Sequence, residues 1–197
     1  RQTLPDAPMI SSEGRAFPVE RRYQPLPAHQ RFDEAVAIAT AELLRQEPGS
    51  LLLFLPGVGE IQRVQEQLAS RVNSDVMLCP LYGALPLADQ RKAILPAPAG
   101  QRKVVLATNI AETSLTIEGI RLVVDSTLER VASFDPRTGL TRLLTQRISQ
   151  ASMVQRAGRA GRLEPGICLH LTSAEQAERT AFQSTPEIRS EERRVGK

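Results

Sequence analysis

Guanidinium groups and glycines alternate in the segment QRAGRAGR at positions 155–162. We expect Ser149 to cap a helix that runs through this segment. In such a helix Gln155, Arg159 and Arg162 occupy positions i, i+4 and i+7, so that their side chains project from one face. Guanidinium groups bind phosphate oxygens through paired hydrogen bonds and keep their charge at any relevant pH. The spacing therefore indicates chemistry on a phosphate group, in which arginine stabilises the charge of phosphoryl transfer.

The two glycines of the segment, Gly158 and Gly161, support the same interpretation. Each glycine inside a helix costs about 1 kcal/mol relative to alanine. Their position on or beside the arginine face suggests that something approaches the backbone closely, and a polyphosphate fits. The alternative is a solvated Gly/Arg stretch, such as a disordered segment that binds RNA. We favour the phosphate site because folded elements are expected on both sides of the segment.

The rest of the chain must position this segment, and its patterns alternate between helix and strand. Apolar residues recur at helical spacing at 32, 36, 39 and 43 and again at 61, 64 and 68. Short apolar runs bounded by proline and glycine are typical of strands buried on both faces. We predict strands at 16–23, 50–55, 75–79, 103–107, 120–125 and 166–171, a helix at 86–95, and a last helix capped by Ser173 and Gln176. This order predicts an α/β fold, a mostly parallel sheet with helices on both faces.

One segment departs from this alternation. Residues 129–134 and 140–148 flank the sequence DPRTG at 135–139, which has the composition of a tight turn. We therefore predict a β-hairpin near 129–148 that is inserted into the α/β core and projects from it.

The composition indicates a globular protein and excludes several other classes. Of 197 residues, 41% are hydrophobic and 24% are charged, which is unlike a disordered chain. The apolar runs are far shorter than the roughly 18 residues that cross a membrane. With no signal peptide in view, we expect a cytoplasmic protein. The net charge of +3 permits a polyanionic partner without requiring one, and five Phe, two Tyr and no Trp leave no extended aromatic surface for stacking bases.

Cysteine and histidine usage gives no sign of a metal site. Cys79 and Cys168 lie far apart, each within an apolar run, which predicts buried unpaired thiols in a reducing compartment. We interpret His29 and His170 as incidental, the first in a linker and the second in a strand.

Several segments together resemble the motifs of one enzyme family. The segment QRAGRAGR resembles motif VI of the DEAH-box helicases of superfamily two, and VLATNIAETSLTI at 105–117 resembles their motif V. Residues 53–57 with 60–61 resemble motif IV, and residues 81–86 resemble the segment after it. The resemblance covers roughly residues 30–172 in the expected order and is closest to the bacterial HrpB branch. It implies that the chain is a fragment carrying the second RecA-like lobe.

The resemblance implies roles in ATP hydrolysis for the residues of the first segment. Arg159 and Arg162 would be arginine fingers that reach ATP held mainly by the first lobe. Gln155 would contact the γ-phosphate or the attacking water. ATP and Mg²⁺ are the implied cofactors, and both would be bound mainly by the first lobe.

Further roles follow for the segment that resembles motif V. Ser114 and Thr116 would sense the nucleotide state, although helix capping also explains their hydroxyl groups, and Glu118 would lie near the ribose. Thr108 and Asn109 would bind the backbone of single-stranded RNA or DNA, because hydroxyl and amide groups contact phosphates and sugars without reading bases. The hairpin would separate strands, or it would serve only as a structural arm. The family also implies a monomer.

The sequence departs from the family pattern at defined points. Ile94 stands where many relatives have an aromatic residue that stacks on the base, which puts base selectivity in doubt. Neither the phosphate loop G-x-x-x-x-G-K-[ST] nor a D-E-x-H box is present, so the fragment alone is not expected to hydrolyse ATP. The alternative function is a non-catalytic nucleic-acid-binding or regulatory module with the same fold.

The resemblance also divides the chain. Residues 1–27 are expected to form the end of the first lobe and a linker, and residues 28–180 the second lobe. Residues 181–197 would approach a winged-helix domain, with a charged tail at 189–197 that is disordered or foreign.

Overall fold

The computed structural model describes residues 17–182. The expectations for the end of the first lobe in residues 1–16, for the approach to a winged-helix domain in residues 183–197 and for the charged tail at 189–197 lie outside the described residues.

Strands and helices alternate along the chain, with one pair of consecutive strands after the fifth strand. In chain order the elements are β1 (Val19–Tyr23), α1 (Phe32–Gln46), β2 (Ser50–Phe54), α2 (Val58–Ala69), β3 (Val76–Leu81), α3 (Leu87–Ile94), β4 (Arg102–Ala107), α4 (Ile110–Thr113), β5 (Ile120–Asp125), β6 (Leu128–Asp135), β7 (Leu140–Arg147), α5 (Gln150–Gly158), β8 (Gly166–His170) and α6 (Ala174–Arg179). The predicted strands and helices are therefore present, with bounds that differ by a few residues.

Six strands form one parallel sheet in the order β1-β8-β5-β2-β4-β3. Parallel pairing brings the last residues of all six strands to one border of the sheet, which we call the carboxyl edge. Strands β6 and β7 pair antiparallel with each other in a separate two-stranded sheet, the hairpin. The predicted α/β class and the inserted hairpin are both confirmed.

The core consists of two apolar layers on opposite faces of the sheet. Alternate residues of β2 serve different layers, because successive side chains of a strand point to opposite faces. Leu51 and Leu53 belong to the layer formed with α1 and α2, whereas Leu52 and Phe54 belong to the layer that includes residues of α3, α4 and α5. All five residues of β2 are buried, as its mostly apolar sequence predicts.

Strand β1 belongs to the six-stranded sheet. Residues Val19–Tyr23 pair in parallel with Gly166–His170 of β8 and form the outermost strand on one side of the sheet. The division of the chain at residues 1–27, 28–180 and 181–197 stays a prediction. The sequence shows the strand pattern at 16–23. It does not show the partner strand β8, which lies more than 140 residues later in the chain.

No helix among residues 17–182 is long and apolar enough to cross a membrane.

Candidate functional site

Helix α5 carries the first part of the segment at 155–162, which we call the arginine segment, and ends inside it. The Ser149 hydroxyl accepts a hydrogen bond from the Ser152 amide at 3.1 Å, so the predicted cap is present. The helix ends at Gly158, and the amides of Arg159 and Gly161 bond to carbonyls three residues earlier. The prediction that residues 155, 159 and 162 share one helical face is therefore wrong. Two glycines, the poorest helix formers after proline, explain the early end.

The two glycines have different surroundings. A Cβ atom at Gly161 would lie 2.5 Å from the Phe17 carbonyl oxygen and 2.7 Å from a methyl group of Val19. The close approach at Gly161 is therefore made by the entry to β1, and our interpretation of this glycine as space for a polyphosphate is wrong. At Gly158 a Cβ atom would meet nothing within 4 Å, and this residue is exposed. Space beside the backbone is therefore present at Gly158.

The three residues proposed to act on phosphate differ in exposure. Gln155 and Arg162 are exposed, and within residues 17–182 neither side chain forms a hydrogen bond or an ion pair. Arg159 is half-buried, and its Nε atom donates to the Glu112 carbonyl oxygen at 3.0 Å. Burial and the neighbouring charge of Arg162 both lower the pKa of Arg159 from its ordinary value. Two guanidinium groups thus lie close enough to repel each other, and an anion between them would relieve that repulsion.

The segment that resembles motif V leaves the carboxyl edge after β4. Thr108 is half-buried and Asn109 is exposed, directly before the short helix α4. Ser114 and Thr116 are exposed beyond that helix, and no hydrogen bond described for residues 17–182 uses either hydroxyl group. Ser114 ends α4 through its backbone amide, which bonds to the Ile110 carbonyl. Helix capping by these two side chains is therefore not observed.

Glu118 and Ile94 lie side by side, although they are far apart in sequence. The Glu118 amide donates to the Ile94 carbonyl oxygen at 2.9 Å, where α3 ends. The Glu118 side chain is exposed, and Ile94 is half-buried. The two positions that we connected with the sugar and the base of a nucleotide are thus neighbours in the structure.

Arg156 is the residue that the sequence analysis missed. Its side chain is fully buried, with Nη1 donating to Asp125 Oδ1 at 2.8 Å and Nε donating to Glu112 Oε1 at 3.0 Å. Its guanidinium carbon lies 4.7 Å from the ring centre of Phe54. Helical periodicity could have revealed it, because Met153, Arg156 and Ala157 form the buried face of α5 at i, i+3 and i+4.

Opposite charges stabilise each other in this buried pair. Burial raises the pKa of Asp125, but the Arg156 charge and the His170 hydrogen bond outweigh burial and hold that pKa below its ordinary value. Burial lowers the pKa of Arg156, and the Asp125 and Glu112 carboxylates outweigh it and raise that pKa. Both groups are therefore charged, and Glu112 joins α4 to α5 by binding Arg156 with its carboxylate and Arg159 with its carbonyl.

His170 extends the buried network, so our interpretation of this residue as incidental is wrong. Its Nδ1 atom lies 2.8 Å from Asp125 Oδ2, and Arg21 donates to its Nε2 atom at 3.0 Å. A ring nitrogen that accepts from arginine carries no proton, so Nδ1 holds the proton and donates it to Asp125. The ring also stacks on Tyr23 with centroids 5.2 Å apart. The network therefore connects β5 to β8 and β1.

The cysteines and acidic residues offer no metal site in the part of the chain that the structure describes. Cys79 and Cys168 are buried free thiols, as predicted. Within residues 17–182, no group of three or more His, Cys, Asp or Glu residues is placed to hold a metal ion.

Comparison with known proteins identifies the family. The profile of the helicase conserved C-terminal domain matches residues 34–164, which is more than half of the chain and includes α5 and the whole segment at 155–162. The chain belongs to the helicase conserved C-terminal domain family. The resemblance to DEAH-box helicases found in the sequence is thereby confirmed.

Curated relatives of this helicase C-terminal domain are much longer than the chain. The ATP-dependent RNA helicase HrpB of Escherichia coli strain K12 is 82% identical over 188 residues, covering 95% of this chain and 23% of that protein. Probable ATP-dependent RNA helicases DHX34 of mouse and human are 41% and 42% identical, each covering 93% of this chain and 17% of the relative. The chain therefore spans less than a quarter of the length of these relatives.

Solved structures agree with the fold. A crystal structure of the E. coli DExH-box NTPase HrpB is similar with a TM-score of 0.86 and 84% identity, covering 89% of this chain and 22% of that chain. A crystal structure of the E. coli DEAH/RHA helicase HrpB gives a TM-score of 0.87 and 83% identity, with 95% and 24% covered. The lobe described here is thus a RecA-like α/β domain.

Proposed function

We propose that this chain is the second RecA-like lobe of an ATP-dependent RNA helicase, and that it completes an ATP site held mainly by a first lobe. The observation that carries the proposal is the exposed guanidinium of Arg162 close to that of Arg159, next to the open backbone at Gly158. Two neighbouring cations beside open space fit the polyphosphate of a nucleotide. The printed names of the relatives, ATP-dependent RNA helicases, support the same activity.

In this proposal the three residues have different tasks. Arg162 reaches across the cleft as an arginine finger and stabilises charge on the γ-phosphate. Arg159, held by the Glu112 carbonyl, stays close to the lobe and provides a fixed positive charge. Gln155, which is exposed on α5, contacts the γ-phosphate or the attacking water.

The other positions named from the family would bind the rest of the substrates. Ser114 and Thr116 sense the nucleotide state through their unpaired hydroxyl groups, and Glu118 lies at the ribose beside Ile94. Thr108 and Asn109, at the carboxyl edge after β4, contact the backbone of a single strand.

The fit differs between the two cofactors. The exposed arginines suit the phosphate end of ATP, which supplies the phosphoryl group for hydrolysis when it is bound. Because the described residues include no acidic cluster, Mg²⁺ would need ligands from the first lobe. We expect a cytoplasmic protein in which both lobes belong to one monomeric chain.

The test is ATP turnover, with and without single-stranded RNA, by the chain extended upstream through its first lobe. Arg162→Ala should lower the stimulated rate by about 10³-fold or more, the range of arginine fingers. Arg45→Ala, which removes an exposed arginine from the last turn of α1, is the matched control and should leave the rate unchanged. A native rate that RNA does not change would favour the non-catalytic binding module instead. A normal rate in Arg162→Ala would refute the role of Arg162 as an arginine finger.

A further inference from the structure

We propose that Glu60 and Arg130 form a latch that fixes the direction of the hairpin, and that the latch couples ATP turnover to strand separation. Glu60 lies in the first turn of α2, and Arg130 lies on β6. The inference rests on the proposed helicase function for its consequence, but the latch itself is a feature of this lobe.

The latch is a two-point contact. Arg130 Nη1 donates to Glu60 Oε1 at 3.0 Å, and Nη2 donates to Oε2 at 2.7 Å. Such paired bonds fix the orientation of the guanidinium plane as well as its position. The same guanidinium donates to Thr145 Oγ1 on the second strand of the hairpin, at 3.2 Å from Nε and 2.9 Å from Nη2. One side chain therefore joins α2 to both strands.

The rest of the hairpin has little support from the lobe. All eight residues of β7 are exposed, and among residues 17–182 the strands β6 and β7 pair only with each other. At the base, the Ile148 amide bonds to the Thr127 carbonyl, and Arg147 donates to the Thr127 hydroxyl at 2.7 Å. A two-stranded ribbon held only at its base is free to bend. The latch supplies a second attachment above the base.

Gly57 provides the space in which the latch forms. A Cβ atom at this position would lie 2.1 Å from Arg130 Nη1 and 3.0 Å from Glu60 Oε1. The backbone of Gly57 is extended, with φ of −164°, so an alanine could adopt it without strain. Replacement of Gly57 by alanine should therefore act by displacing the Arg130 guanidinium.

The direction of the hairpin determines where its apolar residues point. Residues 130, 132 and 134 lie on one face of β6, because side chains alternate along a strand. Leu143 is opposite Ala132 and shares that face. Phe134 and Leu143 are 46% and 69% exposed, beyond the latch. Arg130 holds this face near the base of the hairpin and thereby fixes the direction of its far end. The exposed Phe134 and Leu143 at that end would contact the bases at a duplex junction.

The experiment uses the full-length protein and compares duplex strands separated per ATP hydrolysed. Glu60→Gln and Arg130→Gln should lower this ratio about tenfold while RNA-stimulated ATP turnover stays within twofold of native. Arg130→Lys keeps the charge but loses the two-point geometry, so its ratio should lie between native and Arg130→Gln. Gly57→Ala should resemble Arg130→Gln. The control is Arg137→Gln at the hairpin turn, where the side chain is 90% exposed, and it should match native.

A second measurement tests the latch without relying on activity. Spin labels at Thr138→Cys, in the hairpin turn, and Ala69→Cys, at the end of α2, should give a narrow distance distribution that broadens in Glu60→Gln. An unchanged distribution in Glu60→Gln would refute the latch even if the protein is a helicase. A broadened distribution with a native ratio of strands per ATP would refute its coupling role. Absence of RNA-stimulated ATP turnover in the native protein would refute the proposed function. The distance measurement would then still test whether the latch exists.

Discussion

Replacement of Arg156 by methionine tests whether the buried network holds the site together. Methionine keeps most of the apolar stem and removes the charge. The substitution leaves the Asp125 carboxylate fully buried, with only the His170 ring and the Thr127 amide to bond it, at 2.8 Å each. It also removes the ion pair to Glu112 and the contact with Phe54.

The expected cost follows from leaving a buried charge without its partner. Breaking a buried ion pair on one side typically costs about 3–5 kcal/mol. The Arg156 Nη2 atom has no hydrogen-bond partner among the described residues, which makes the native pair somewhat less favourable. We therefore expect Arg156→Met to lower the free energy of unfolding by about 3 kcal/mol. Arg162→Ala, in the same segment but exposed, should change it by less than about 0.5 kcal/mol.

The measurement is urea denaturation of both variants and the native chain between pH 7 and pH 4. In the native protein the pKa of Asp125 lies below its ordinary value, so its stabilising contribution is present above that value and is lost only as pH falls through the folded pKa. In Arg156→Met, burial without the arginine raises that pKa, and protonation relieves the cost as pH falls. The difference between native and variant should therefore shrink toward pH 4. A difference below about 1 kcal/mol at pH 7, or one that grows in acid, would refute the structural role of Arg156.

Two further predictions concern the backbone and a buried lysine. Gly161→Ala should destabilise the lobe by about 1–3 kcal/mol because its Cβ atom collides with the Phe17 carbonyl, whereas Gly158→Ala, with open space, should be neutral or stabilising by up to about 1 kcal/mol in the same denaturation assay. Equal effects would contradict this difference in packing. Burial lowers the pKa of Lys103 to about 8, so between pH 8 and 10 the unfolded chain binds a proton that the folded chain lacks. Native stability relative to Lys103→Met should therefore rise by up to about 1.4 kcal/mol per pH unit, and a flat difference would show that the lysine is not desolvated.

The strands and helices could be predicted because local composition determines them. Residues 51–54 form an apolar run between a Pro-Gly pair on each side, and such a run has few alternatives to a strand buried on both faces. The hairpin turn likewise has the residues that its geometry requires. The types of the elements, the fold class and the family all followed from short stretches of sequence, since nothing distant was needed to choose between strand and helix.

The neighbour of Gly161 could not be predicted because it lies in a distant segment of the chain. Gly161 suggests a close approach, and a close approach exists, but the Phe17 carbonyl oxygen makes it. The Phe17 amide donates to the Gly161 carbonyl at 2.7 Å, so the contact fixes both segments. The glycine at position 161 correctly indicated crowding, whereas only the folded structure shows that the neighbour is Phe17.

The ion pairs were hidden for the same reason. Arg156 bonds to Asp125 and Glu112, which lie 31 and 44 residues away in sequence, and His170 bonds to Asp125 across 45 residues. A charged residue at the end of an apolar strand, such as Asp125, signals a buried partner but does not name it. Helical periodicity can indicate which of the three arginines at 156, 159 and 162 is buried, but it does not identify the carboxylates that Arg156 binds.

Burial now separates the roles of these three arginines. Arg156 is committed to Asp125 and Glu112, and Arg159 is committed to the carbonyl of the same glutamate. The bonds that Arg156 makes to the two carboxylates cannot be given up for a ligand without the cost of an unpaired buried charge. Arg162 is exposed and forms no ion pair within residues 17–182, so it can bind a ligand without breaking a bond of the lobe. In the proposed function, the buried pair would hold the segment from which Arg162 reaches the nucleotide. Removal of Arg162 should lower ATP turnover without changing the free energy of unfolding, whereas removal of Arg156 should mainly lower the free energy of unfolding.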